Sequence, residues 1–200
     1  MTHHITLPLS KEKTAVLNCG DTVYLTGELF TARDAAHKRL TEALQKNEPL
    51  PIPIKDATFY YVGPTPAKPG QTIGSAGPTT SSRMDAYTPQ LLGVGLRGMI
   101  GKGKRSPSVI KAIKETGAVY LGAIGGAGAL LASRITGYEV VAYRDLGTEA
   151  IHRLTVEDFP TVVVIDSKGN DLYEADRTGS DVAVPVPYGH DDNGTVMSCG

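Results

Sequence analysis

The sequence predicts an α/β domain with a mixed sheet, and three features carry that reading. Apolar runs of three to eight residues alternate with stretches of helical period. Strand-like runs outnumber helical ones, which favours a mixed sheet over a doubly wound parallel one. Forty percent of the 200 residues are apolar, enough for one buried core, so a single compact domain is expected.

Asp21 to Phe30 reads as a strand region broken at Gly27. Thr31-Ala-Arg-Asp34 fits a capping box, with Thr31 at the N-cap and an acid three residues on. The helix then runs through Ala35, Leu40, Ala43 and Leu44 and ends before the proline-rich stretch from Pro49 to Pro53. Thr58 to Val62 is β-branched and aromatic, hence a strand, and a loop with Pro64, Pro66 and Pro69 follows. A short strand is expected around Arg97 to Ile100, and a helix from Pro107 with Ser106 as its cap.

Ala118 to Ile124 reads as a buried strand, and the turn Gly125-Gly126-Ala127-Gly128 leads into an apolar helix over Ala129 to Ile135. A strand over Tyr138 to Tyr143 and a short helical turn over Gly147 to Ile151 come next. Thr161 to Ile165 and Asp171 to Tyr173 read as strands joined by the turn between them. Glycine, proline and acids dominate from Gly179. Residues 1–178 are therefore expected to form the domain and 179–200 a loose tail.

Twenty Lys and Arg against 21 Asp and Glu give a net charge of −1. That balance argues against a general nucleic-acid binder and against a polybasic membrane-surface protein. The uncharged stretch from Gly117 to Ala132 has 16 residues, five of them glycine, short of the roughly 20 apolar residues a membrane span needs. The N-terminal residues lack a basic start and an apolar run, so no signal peptide and a cytoplasmic location are expected. Cys19 and Cys199 have no CxxC spacing, which excludes a disulfide framework. A self-contained zinc or iron–sulfur site commonly needs three or four ligands, and His37, His152 and His190 are scattered. Metal chemistry would have to come from another chain. His190-Asp191-Asp192 reads as polar tail.

The densest unusual stretch is GSAGPTTSSRMD, Gly74 to Asp85. Its four consecutive hydroxyls, Thr79 to Ser82, fit either a plain N-cap or an anion site. In the second reading a Gly-Pro turn opens a helix and offers free N–H groups and the helix dipole, with Arg83 one turn in. GMIGKGK, Gly98 to Lys104, is no P-loop, because Leu96 stands at the first glycine position and Gly103 follows Lys102. Either Lys102 reaches into a cleft or the segment is a solvated basic turn. A dinucleotide fingerprint from Gly126 fails at Leu131, which leaves a close strand–helix turn. Arg33 lies in a first helical turn, where the dipole favours acids. It is either paired, with Asp34 or a distant acid, or free to grip a carboxylate at two points. His37 reads as a packed helix residue.

GSAGPTTSSRMD, with Gly63-Pro-Thr-Pro66 before it and GMIGKG after it, resembles the β subunit, or C-terminal region, of class I fumarases and L-tartrate dehydratases. LTGELFTARDAAH (Leu25 to His37), GAVYLGAIGGAGALL (Gly117 to Leu131) and EDFPTVVVIDSKGNDLY (Glu157 to Tyr173) extend the likeness in the same order. The resemblance implies a swivelling β/β/α domain and an iron–sulfur hydro-lyase acting on dicarboxylates. The [4Fe–4S] cluster would be carried by three cysteines of a partner α subunit and none bound by this chain, with an α2β2 heterotetramer as the expected assembly.

Residue by residue, the resemblance places substrate-binding arginines at Arg33 and Arg83, a substrate-binding lysine at Lys102 and the proton-transfer threonine at Thr79. Thr80 and Ser82 become secondary donors. Arg33, Arg83 and Lys102 are then expected in one cleft, meeting one substrate carboxylate. A threonine hydroxyl alone is too weak a base, so Thr79 needs a carboxylate, expected from the α subunit, or a cationic setting. The expected reaction is reversible hydration of fumarate to L-malate, as in the tricarboxylic acid cycle. The alternatives are an L-tartrate dehydratase β subunit and a non-catalytic anion-binding or assembly module.

Overall fold

The computed structural model describes residues 1–67, 69–124 and 128–177. In chain order the regular elements are β1 (Thr2–Thr6), α1 (Lys11–Ala15), β2 (Thr22–Thr31), α2 (Asp34–Gln45), β3 (Thr58–Tyr60), α3 (Thr88–Gly93), β4 (Gly98–Gly101), α4 (Pro107–Thr116), β5 (Val119–Ala123), α5 (Gly128–Ser133), β6 (Ile135–Ala142), β7 (Ile151–Ile165) and α6 (Leu172–Arg177). Two 3₁₀ turns, Ser81–Met84 and Arg144–Glu149, complete them.

β2, β3, β4 and β5 run parallel in that order. β7 runs antiparallel to both β5 and β2, so backbone hydrogen bonds close a five-stranded ring, and strand edges vanish inside it. β1 adds to β2 in parallel and β6 to β7 antiparallel. The parallel strands are joined through helices, as parallel pairing requires. This is the α/β architecture with a mixed sheet that the sequence predicts.

Burial on both faces explains the composition of the ring. All five residues of β5 are buried, the pattern of a strand covered on both sides. Side chains alternate between two cores. Phe59, Tyr61, Met99, Tyr120 and Val164 pack outward with Ala36 and Leu40 of α2, Leu91 and Leu92 of α3, and Val109 and Ile113 of α4. Tyr60, Ile100, Leu121 and Val163 point the other way, into the ring, with Leu25 and Leu29. Capping follows local chemistry: α4 starts on Pro107 after an extended Ser106 and stops at Gly117, whose φ of 71° is left-handed.

Several boundaries differ from the sequence expectation, each for a visible reason. Thr31 is not a helix cap. It pairs with Tyr60 in the β2–β3 ladder and its hydroxyl is buried against His152, so α2 begins at Asp34 with Arg33 as N-cap. Gly27 does not break β2 but marks a register shift at φ 130°, where a Cβ would sit 3.0 Å from that of Leu7. The expected strand at 161–165 is the last third of β7, whose earlier residues send Leu154, Val156 and Phe159 inward between polar and charged residues. Asp171 to Tyr173 is not a strand. The Asp171 carboxylate accepts the Tyr173 N–H at 3.0 Å and starts α6. β6 begins earlier than expected, at Ile135, and the turn before β7 spans Arg144–Glu149 rather than 147–151. The Gly125–Ala127 turn, the 179–200 tail, His190 and Cys199 lie outside the described residues. Among the described residues no helix is long and apolar enough to cross a membrane.

Candidate active site

The sequence-picked cations gather where β2, β3 and β4 end. Arg33 follows β2 by two residues, Gly63 follows β3 by three and Lys102 follows β4 directly. All three strands are parallel, so their carboxyl ends open on one edge, the place where open α/β sheets bind ligands.

The segment 76–85 is laid across that edge and tied at nearly every residue. Tyr60 Oη donates to the Ala76 carbonyl. Thr79 N–H donates to the Tyr61 carbonyl at 2.7 Å, and Ser81 N–H to that of Lys102 at 2.9 Å. Thr80 and Lys102 form a parallel bridge, which extends β4 by one step and brings motif and lysine side by side. The Tyr120 hydroxyl donates to the Gly103 carbonyl at 2.9 Å and is hydrogen bonded to Ser81 Oγ at the same distance. A Cβ on Gly101 would overlap Ser81 Oγ, so glycine there lets the motif lie flat on the strand.

These bonds correct the helix-opening reading. The segment makes only a four-residue 3₁₀ turn, whose N-cap Thr80 makes no side-chain cap bond. The N–H groups of Thr79 and Ser81 are used by carbonyls. Those two N–H groups are therefore closed to an anion. Lys102 is exposed at the end of a strand ladder rather than in a basic turn. Among the described residues, no hydrogen bond engages the hydroxyls of Thr79 or Thr80.

Arg33 and Arg83 meet on one acid. Arg83 Nε donates to Asp34 Oδ1 at 2.9 Å. Arg33 Nε lies 3.9 Å from Asp34 Oδ2 and 3.6 Å from Glu149 Oε1, too far in both cases for a hydrogen bond. Arg33 Nε and Asp34 Oδ2 are both buried and without a hydrogen-bond partner. The guanidinium passes so close to Gly63 that a Cβ there would fall 2.5 Å from Nη1. Asp34, Glu149 and Gly63 were not among the sequence candidates. The acid was read as half of a capping box and as a possible partner of Arg33; its hydrogen-bond partner Arg83 stands 49 residues away.

His37 braces the same turn. It is fully buried, its Nδ1 bonds to the Arg33 carbonyl at 2.9 Å, and its ring meets Phe59 and Tyr61 edge-on. Burial holds the imidazole neutral, its pKa depressed to about 4. Beneath the motif, the buried Arg105 pairs with Asp85 at 2.7 Å, donates to Thr88 Oγ1 at 2.9 Å and lies over the rings of Tyr61 and Tyr120. Asp85 also accepts the Ser106 N–H at 2.6 Å. This strut fixes the end of the motif to the start of α4.

Two clefts of about 440 and 500 Å³ flank the 64–75 loop. Neither is lined by Arg33, Thr79, Arg83 or Lys102. The cationic edge is open, with the Arg83 side chain half exposed.

Comparison with known proteins fits this layout. Residues 2–176 match the family model described as fumarase C-terminus. The chain is 45% identical over 152 residues to the aerobic class I fumarate hydratase of Escherichia coli K12, covering 75% of this chain and 28% of that protein. Fumarate hydratase 2 of Leishmania major is 43% identical over 156 residues, 77% of this chain and 28% of that protein. A protein of Methanocaldococcus jannaschii named as a putative L(+)-tartrate dehydratase subunit beta is 38% identical over 172 residues, 83% of this chain and 88% of that protein. The chain thus spans little more than a quarter of the fumarate hydratases it matches, and nearly the whole of the shorter relative. With a match covering almost all its described residues, the chain belongs to the fumarase C-terminal family.

Proposed function

We propose that this chain is the β subunit of a two-chain hydro-lyase that interconverts fumarate and L-malate. The observation that carries the reading is the exposed cationic edge, where Asp34 faces both Arg33 and Arg83 and the Thr79–Ser82 segment is bridged to Lys102. The likeness over 88% of a protein named as a subunit beta supports a partner chain over this edge. Arg33, Arg83 and Lys102 take one carboxylate of the dicarboxylate, by charge-assisted hydrogen bonds. Thr80 adds a neutral donor. The Thr79 hydroxyl has no hydrogen bond among the described residues. In dehydration its oxygen takes the proton from the carbon beside the hydroxyl-bearing one while its own hydroxyl proton passes to a carboxylate of the partner chain, since a threonine hydroxyl is too weak a base alone; hydration runs the relay in reverse.

The relatives' family implies an iron–sulfur cluster. The described residues of this chain do not fit one. Cys19 is the described cysteine, its thiol donates to the Val164 carbonyl, and burial beside Asp166 pushes its pKa up to about 12, away from a ligating thiolate. Among the described residues no three His, Cys, Asp or Glu are grouped for a metal. In this proposal the cluster sits on a cytoplasmic α subunit, in an α2β2 assembly. The M. jannaschii likeness favours one second reading, dehydration of L-tartrate by the same groups.

The test is reconstitution. The chain purified alone should fold and leave fumarate and L-tartrate untouched. Mixed anaerobically with a cluster-loaded α chain, it should restore malate–fumarate interconversion, followed by fumarate absorbance. Turnover by the isolated chain, or none in a verified complex with an intact cluster, would refute the proposal. Turnover of L-tartrate alone would select the second reading.

A further inference from the structure

We infer that Asp34 is a positioning residue of the site, the acid that fixes the stance of Arg83 and balances the charge of Arg33 beside it. The inference rests on the function proposed above. Asp34 stands at the first position of α2, where the helix dipole favours a carboxylate. Its Oδ1 takes the Nε–H of Arg83 at 2.9 Å, and its Oδ2 faces Arg33 Nε at 3.9 Å. Engaging Arg83 through Nε leaves the Nη pair of that half-exposed guanidinium unused, the pair that can grip a carboxylate at two points. Among the described residues no hydrogen bond occupies the Nη atoms of either arginine.

Charge makes the same point. Two guanidiniums held near one another repel, and a carboxylate between them removes that cost. Oδ2 and Arg33 Nε are buried without hydrogen bonds, an unfavourable state for both atoms. A shift of about 1 Å would bring them into hydrogen-bond range. The pair therefore has slack, on the Arg33 side only. Arg83 is fixed by Asp34, while Arg33, with Glu149 at 3.6 Å on its other flank, is free to settle on the incoming carboxylate.

The experiment compares Asp34→Ala, Asp34→Asn and Arg83→Ala in the chain assembled with its α partner, with fumarate and with L-tartrate. A second readout on the full chain follows the Arg83 Nε–H by ¹H–¹⁵N spectroscopy. Asp34→Ala should raise KM about tenfold or more, the scale of one charge-assisted hydrogen bond, with a smaller change in kcat. Asp34→Asn should recover part of that loss, because its amide oxygen still accepts from Nε. The Nε–H signal should be slow to exchange in the wild-type chain and lost in Asp34→Ala. A wild-type KM in both Asp34 variants beside a raised KM in Arg83→Ala would overturn the inference alone. Wild-type kinetics in all three would overturn the site assignment, and this inference with it. If Asp34→Ala fails to fold, Asp34→Asn decides. An unchanged Nε–H signal together with an unchanged KM in that variant refutes the role.

Discussion

Thr79 is held by its backbone, and among the described residues no hydrogen bond takes its hydroxyl, the arrangement a proton-transfer group needs and a cap does not. Thr79→Ala should lower kcat of the assembled enzyme about 10²–10⁴-fold, whereas Thr79→Ser should retain most of it. Equal activity in the two variants would reduce Thr79 to a backbone tether. His37 gives a prediction of another kind. Burial lowers its pKa from 6.5 to about 4, so between those values the unfolded chain binds a proton that the folded chain does not. Stability should therefore fall as pH drops from 6.5 to 4, by about 3 kcal/mol in all, and be flat in this respect above 6.5. Urea unfolding of wild type and His37→Phe across that range checks it; the variant should lose that slope. Arg83 and Lys102 were legible because they sit inside a distinctive local motif. Asp34 was not, since only the folded chain brings it to Arg83.

At the scale of elements, the 3₁₀ turn Ser81–Met84 is too short to hold itself, and it borrows rigidity from Arg105. Arg105→Ala empties a buried site and strips the half-buried Asp85 carboxylate of its cation, leaving Thr88 and two aromatic faces without their partner. The loss should be roughly 3–5 kcal/mol in chemical denaturation. Arg105→Lys should recover little of it, because an ammonium cannot span Asp85 and Thr88 while lying flat on the rings. A change below 1 kcal/mol would mean that the motif is held by its backbone bonds alone. The strands β3, β4 and β5 were readable from composition, being apolar on both faces. β7 was readable only in its last third, because Arg153, Glu157 and Asp158 interrupt the apolar run where the strand leaves the crowded part of the ring. Short elements such as β1, α1 and α3 carry too little pattern to stand out.

For the molecule as a whole, the closed ring is a frame that carries the candidate site along one rim, where, among the described residues, Arg83 is half exposed and Lys102 exposed. Such an edge is screened by solvent ions, so dicarboxylate binding to the isolated chain should weaken steeply with salt between 50 and 500 mM, values set by the roughly 10 Å screening length at 0.1 M. In the assembled enzyme the same titration should move KM much less, since burial shields charged pairs. Equal salt sensitivity in both forms would show that the partner does not cover this rim. The resemblance in the sequence implies a partner chain, and the proposal sets that partner over this rim.

Ring closure also dictates an order of events as the chain is made. The four parallel strands are complete once residue 123 has emerged, yet the strand that seals them ends at Ile165. Val23 waits for Thr161, and Ala123 for the same threonine from the other side. Until then the rims of β2 and β5 are bare templates for the wrong neighbour. A nascent chain halted between those two points would carry every cation of the site and still be the form most prone to aggregate.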